Sequence, residues 1–181
     1  MKVVPLDMEG LYLLEPVVHG DRRGYFMESY NEAILQRHGI RVRFVQDNHS
    51  LSAEKGVLRG LHYQLPPKAQ TKLVRVLAGA IYDVVVDIRR QSPTFGKWIG
   101  ITLSEENKRQ LLVPKGFAHG FCTLTPNTQV LYKVDEYYAP EYDRGIRWDD
   151  PALQIDWPVH DPVLSDKDRM HPGLERAEYF E

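Results

Sequence analysis

The sequence contains a single cysteine, Cys122, which rules out an intrachain disulfide. Its place between Phe121 and Thr123 in an apolar stretch suits a buried small hydrophobe better than a nucleophile. No apolar run approaches the roughly eighteen residues of a membrane span. The start, Met1-Lys-Val-Val-Pro5 leading to Asp7 and Glu9, lacks the apolar stretch of a signal peptide. The cytoplasm is therefore the expected location, with no membrane partner. An excess of charge of one sign is also missing: 23 Lys and Arg against 25 Asp and Glu give a net charge of −2, so nucleic acid is not an expected partner. There is no glycine-rich phosphate loop, internal repeat, low-complexity run or linker. With 43% hydrophobic and 27% charged residues, the chain reads as one globular domain over residues 1–181.

What is present is mostly strand and turn. Residues 11–14, 16–18 and 25–30 are strand-like, with a turn at 19–24. One early helix is expected over 32–38, with Asn31 as its N-cap and Gly39 placed to end it. Segments 43–50, 72–77, 80–88, 98–103, 109–113, 120–124 and 130–134 follow at close spacing, with Gly79 as a tight turn between two of them. This pattern predicts an all-β sandwich, barrel or jelly roll with a few short helices towards the chain ends. The last forty or so residues carry Pro140, Pro151, Pro158, Pro162 and Pro172 together with Trp148 and Trp157. So many apolar anchors indicate a packed tail, with turns or short helix starts at 149–151 and 165–168.

The stretch Gly56-Val-Leu-Arg-Gly-Leu-His-Tyr-Gln-Leu65 organises the rest. It reads as a strand ended by Pro66-Pro67. Simple alternation puts Arg59 and His62 on opposite faces. For both to reach one cavity the strand needs a bulge near Gly60, a residue type that often marks such a place.

Two segments resemble the half-motifs of the cupin jelly roll. Pro114-Lys-Gly-Phe-Ala-His119 has the P-x-G-x-x-H form. The first half-motif is degraded: His62-Tyr-Gln64 puts an amide where a metal-binding cupin has its second histidine, no carboxylate follows, and Thr123 stands where the last histidine belongs. Two histidines do not make a three-histidine, one-carboxylate site. No metal and no cofactor are expected, and acid–base chemistry fits the pocket better. For His119 alone, a hydrogen-bonded interior role is an equal alternative.

Eight segments in order resemble the dTDP-4-dehydrorhamnose 3,5-epimerase family of the cupins nearly end to end. They are Asp21-Arg-Arg-Gly-Tyr-Phe26 with Glu28, Phe44-Val-Gln-Asp-Asn-His-Ser50, Gly56 to Gln64, Lys72-Leu-Val-Arg75, Ser92-Pro-Thr-Phe-Gly96, Pro114 to Phe121, Leu131-Tyr-Lys133 and Leu164-Ser-Asp-Lys-Asp168. The resemblance implies a thymidine-diphosphate 4-keto-6-deoxy sugar as substrate. Its C3 and C5 hydrogens are acidified by the C4 ketone, and inverting both centres needs a base, an acid on the opposite face and a group to hold the enolate oxygen.

On this resemblance His62 is the base, Asp168 its orienting carboxylate, Tyr132 the acid, and Lys72 the cation near the ketone oxygen. Arg59 and His119 contact substrate. Arg23, Phe26, Glu28, Gln46, Asn48, Asp143 and Lys167 hold the nucleotide-sugar, fork-shaped donors suiting the diphosphate and amides the thymine edge. Tyr138 is among the substrate-binding residues, and Tyr137 or Tyr138 stacks on the base; adjacent strand tyrosines point to opposite faces, so only one can do so. The family also implies a homodimer. Pro5 and Pro16 interrupt N-terminal strands that look like edges in need of a partner. The alternatives are an epimerase of a single centre or a ketoisomerase on the same nucleotide-sugar, and, from another class, a catalytically dead sugar-binding cupin. That last reading requires the base or the acid to be missing, and both are present.

Overall fold

Period-two apolar patterns punctuated by turns give thirteen strands in the computed structural model, which describes residues 1–181. They are β1 (Lys2–Pro5), β2 (Tyr12–Glu15), β3 (Val18–Asp21), β4 (Gly24–Met27), β5 (Gln46–Ser52), β6 (Leu58–Gln64), β7 (Lys72–Ala78), β8 (Ala80–Asp87), β9 (Trp98–Ser104), β10 (Gln110–Val113), β11 (Phe117–Thr123), β12 (Thr128–Val134) and β13 (Asp143–Gly145). Two α-helices are present, α1 (Glu32–Arg37) and α2 (Asp166–Arg169). Both begin as their caps require. The Asn31 side chain accepts from the amide of Ile34, and the Ser165 hydroxyl accepts from the amide of Asp168 at 3.1 Å. Gly39, at φ +78°, ends the first helix.

Two antiparallel sheets carry the fold. One has the order β1-β2-β10-β7-β12-β5 and the other β13-β6-β11-β8-β9. They stack as a sandwich, in agreement with the all-β jelly-roll expectation. The tight turn expected at Gly79 is present at φ +78°, but it is a corner and not a hairpin: β7 lies in one sheet and β8 in the other. The reason lies in the pattern, because Val74 and Val76 of β7 and Ile81 and Val85 of β8 all feed one apolar cluster between the sheets. Facing each other across that core buries both sets.

The inter-sheet cluster also takes Leu111, Val113 and Val130 from one sheet and Leu103, Phe117 and Phe121 from the other. Each fully buried aliphatic side chain there contributes about 1.5–3 kcal/mol. A second cluster covers the outer face of the five-stranded sheet, where Ile146, Leu153 and Trp157 of the C-terminal segment pack on Leu58, Leu61, Val84 and Val86. The tail is packed, as its tryptophans predicted, and the Trp157 indole donates to the carbonyl of Trp148. Cys122 is buried in this cluster and burial pushes its thiol up to about 11, so it is an inert small hydrophobe. A third cluster seats Leu35 of α1 on Leu14, Leu73 and Leu112, outside the six-stranded sheet. The inter-sheet apolar filling does not extend through the whole sandwich. Beyond it the facing strands present polar side chains to a cavity.

Candidate active site

The cavity depends on an irregularity in β6. Its partner β11 pairs His119 with His62 and Phe121 with Arg59. Two steps on β11 thus match three on β6, so β6 carries one extra residue, the bulge expected near Gly60. Gly60 has φ +126°, and a Cβ on it would lie 2.5 Å from Cα of Gly120 and 2.8 Å from the carbonyl oxygen of His119. Only glycine fits there. The consequence is that Arg59 and His62 line the same cavity while Leu58, Leu61 and Tyr63 pack outward.

The opposing sheet contributes its own polar face. Along β5 the exposed residues Asp47, His49 and Leu51 alternate with the more buried Gln46, Asn48, Ser50 and Ser52. Asn48 pairs with Tyr132 on β12. Lys72 begins β7, on the same face as Val74 and Val76, with Nζ 6.0 Å from the centre of the Tyr132 ring. Together Ser50, Arg59, His62, Lys72, His119, Phe121, Tyr132, Ser165, Lys167 and Asp168 line a cavity of about 230 Å3. His62 and Tyr132 enter it from opposite sheets.

Each ionisable group in it has a defined environment. Nε2 of His62 lies 2.5 Å from Oδ1 of Asp168. With Nε2–H donated to the carboxylate, the Nδ1 lone pair is left free. Burial lowers the His62 pKa, an effect that Asp168 opposes and that Lys72 and His171 reinforce. Burial alone would raise the pKa of Asp168, but the imidazoles of His171 and His62 outweigh it, and the carboxyl stays ionised well below its ordinary range. Lys72 is buried, and its pKa falls to about 8 despite the attraction of Asp143 and Asp83. Burial raises Tyr132 above its ordinary 10, so the phenol keeps its proton. His119 is a satisfied interior histidine as well as a cavity wall: its Nε2 lies 2.9 and 3.0 Å from the two oxygens of the buried Asp83. Arg59 is braced by its bonds to the Ser52 hydroxyl and the Leu51 carbonyl.

Around the mouth, Lys167 is paired with Asp143, the Tyr138 hydroxyl reaches Asp143 at 3.3 Å, and the Gln46 side chain donates to Asn48 and accepts from the amide of Tyr138. The structure brings these expected nucleotide-binding residues into one continuous patch. It does not bring Arg23, Phe26 and Glu28 into the cavity of their own chain. Arg23 and Phe26 sit on the β3–β4 hairpin, which pairs with neither main sheet, and Glu28 follows it and accepts from Asn31.

The two positions where a metal-binding cupin has ligands are occupied structurally. Gln64 donates to the carbonyls of Lys68 and Tyr137 and accepts from the amide of Ala139, and Thr123 bridges Glu54 and Val57. Three donors do converge elsewhere, His62, Asp168 and His171, within 4.8 Å of one another. Reading the sequence missed His171, Asp83, Ser50, Phe121 and Ser165. Asp83 had a signal, as a carboxylate in the inward series Ile81, Asp83, Val85. Ser50 had one too, continuing the series Gln46, Asn48. Phe121 had one as well, two residues past His119 on the same strand face; His171 and Ser165 owe their places to the tertiary path of the chain.

Comparison with known proteins agrees with this geometry. A sequence model described as dTDP-4-dehydrorhamnose 3,5-epimerase matches residues 5–176. The chain is 52% identical over 181 residues to the dTDP-4-dehydrorhamnose 3,5-epimerase of Shigella flexneri, covering 99% of both chains. It is similar to the crystal structure of the Bacillus anthracis epimerase with TDP and PPi bound, at TM-score 0.93 and 59% identity over 95% of this chain and 98% of that one. It is equally similar in fold to the Legionella pneumophila dTDP-6-deoxy-D-glucose-3,5-epimerase in complex with dTDP-4-keto-L-rhamnose, at TM-score 0.93 and 49% identity over 98% and 94% of the two chains. A match over nearly the whole length, on a fold whose cavity gathers the expected base, acid, cation and carboxylate, settles the assignment: the chain belongs to the dTDP-4-dehydrorhamnose 3,5-epimerase family.

Proposed function

We propose that this chain is an isomerase that inverts C3 and C5 of dTDP-4-dehydro-6-deoxy-D-glucose, giving dTDP-4-dehydro-L-rhamnose for L-rhamnose biosynthesis, without a cofactor. The ketone at C4 already acidifies both neighbouring C–H bonds, so proton transfer alone suffices. In this reading Nδ1 of His62 takes the proton, and the electron pair moves onto the C4 oxygen beside the Lys72 ammonium. The Tyr132 hydroxyl then delivers a proton to the opposite face of the planar enolate. After each inversion the imidazolium gives its proton to water and the tyrosinate takes one up. Asp168 fixes the His62 tautomer and stabilises the imidazolium between those steps.

The observation that carries this reading is the opposed placement of His62 and Tyr132 on two facing sheets, with Lys72 beside the tyrosine. Proton NMR of the protein with the 4-keto-6-deoxyglucose nucleotide in D2O tests it. Exchange and inversion at both C3 and C5 are expected, and exchange at one centre alone would make this a single-centre epimerase.

The thymidine diphosphate falls to the mouth patch of Gln46, Asn48, Tyr138, Asp143 and Lys167, and to Arg23, Phe26 and Glu28 supplied by a second copy in a homodimer. Supporting the dimer, the β3–β4 hairpin and the loop residue entering it leave Val17, Val18, Tyr25 and Phe26 exposed, Phe26 at 72%. An arm with that much uncovered apolar surface fits against another chain. The cytoplasm is the proposed location; no helix is long and apolar enough to cross a membrane.

A further inference from the structure

Behind the His62–Asp168 pair stands a second imidazole, that of His171, whose Nε2 has no hydrogen-bond partner. His171 lies just past α2, its side chain only 9% exposed, with Nε2 3.3 Å from Oδ1 of Asp168, close enough to help hold that carboxyl ionised but without hydrogen-bond geometry. That nitrogen is buried and has no other partner, a condition native proteins seldom tolerate without a reason. The backbone makes room for the ring: Gly145, which pairs with His62, lies so close that a Cβ there would overlap the imidazole. Nε2 of His62 approaches the same oxygen from the cavity side at 2.5 Å, and the two rings meet edge to face.

We propose that His62, Asp168 and His171 form a reversible inhibitory site for a zinc-class divalent cation. Two imidazoles and a carboxylate are a zinc donor set, with a fourth position left to water, and bonds of about 2.0–2.2 Å place tetrahedral ligand atoms about 3.3–3.6 Å apart. The His171–Asp168 edge already has that length. The His62–Asp168 edge must open by about 0.8 Å, a side-chain movement in a ring that borders open cavity. The ion can also enter from behind, where Asp168, His171, His160 and Asp161 line a second cavity of about 400 Å3. Opposing cations are Arg59, Lys72 and Lys167 on the catalytic side, Lys167 being paired with Asp143, and Arg147 and Arg169 behind, Arg147 being tied to Asp149 at 2.8 Å.

Inhibition follows from the tautomer. A metal on Nε2 of neutral His62 drives the ring's one proton onto Nδ1, the nitrogen that must be unprotonated to accept the substrate's proton. No net proton is gained or lost, yet the base is gone. The inhibitory consequence rests on the epimerase reading; the binding does not.

Chelator-stripped enzyme titrated with ZnCl2 in a calorimeter, without substrate, should bind one zinc per chain. Activity of the stripped enzyme should be full, fall at least about tenfold as that site fills, and return on adding EDTA. His171→Asn should raise both the zinc dissociation constant and the inhibitory concentration by at least about 10–100-fold. Gly145→Ala, which displaces the ring without touching a ligand, should do the same, while His160→Asn should leave both unchanged; thermal melts establish that each variant is folded. Absence of zinc binding, equal binding by wild type and folded His171→Asn, or loss of activity on chelation would each overturn the proposal. Calorimetry reads the site without turnover, so failure of the epimerase assay leaves that arm standing.

Discussion

Nε2 of His62 and Oδ1 of Asp168 lie 2.5 Å apart although 106 residues separate them in the chain. The contact joins a strand of the five-stranded sheet to a helix of four residues in the C-terminal segment. In the proposed mechanism the tail is therefore part of the catalytic apparatus: its apolar residues pack on the outer face of that sheet and hold the carboxylate behind the proposed base. Asp168→Asn keeps the size of the side chain but removes the charge and can reverse the tautomer of His62. It should lower kcat/KM by on the order of 10²–10⁴, with little change in KM, measured under initial-rate conditions. A change in KM alone would mean Asp168 serves binding.

The pH profile follows from two lowered pKa values. His62 titrates below its ordinary 6.5, so the base is still free at that pH and kcat/KM should decline only below it. Lys72 loses its proton near 8, and with it the cation proposed to stand beside the enolate oxygen, so a second decline should begin there. Tyr132, held above 10, contributes to neither limb. Lys72→Met should be slower throughout and lack the limb near 8; if the limb persists in that variant, it belongs to another group.

The bulge in β6 has a structural test. A Cβ at residue 60 must meet the backbone of Gly120 and His119 at a φ of +126°. Gly60→Ala should cost on the order of 1–3 kcal/mol in denaturant unfolding and lower activity further by shifting His62 and Arg59. Unchanged stability would show that β6 and β11 can separate freely at this point.

Much of this was legible in the sequence because local chemistry and fold agree. Asn31 and Gly39 bound α1, and the catalytic set was named by resemblance. The bulge was required by the need to bring Arg59 and His62 together, and β6 contains it. The corner at Gly79 was not legible, since a glycine turn between two apolar strands serves a hairpin and a change of sheet equally well. His171 was invisible for a related reason: only the return of the tail onto β13 and β6 places it behind Asp168.

Residues Arg23, Phe26 and Glu28, remote from the cavity of their own chain, give the dimer a sharper test than mass alone. Light scattering should exceed the 21.0 kDa of one chain. If the hairpin completes the partner's site, mixing inactive His62→Ala with an inactive Arg23→Ala/Phe26→Ala variant restores one good site in each mixed dimer. About a quarter of wild-type activity should return, as expected for random pairing at a two-fold interface. No recovery after demonstrated subunit exchange would place the hairpin's function within its own chain.

The division of labour between His62 and Tyr132 is the centre of the account, and exchange against inversion in D2O separates the two roles. His62→Ala should lose both, because no enolate forms. Tyr132→Phe keeps the ring and removes one oxygen, so His62 can still take a proton and return a deuteron to the same face. Deuterium should then enter C3 and C5 with retained configuration, while inverted product falls by on the order of 10²–10⁴ and exchange falls far less. Equal losses of exchange and inversion in Tyr132→Phe would contradict the account, because the tyrosine would then be needed to form the enolate as well as to quench it.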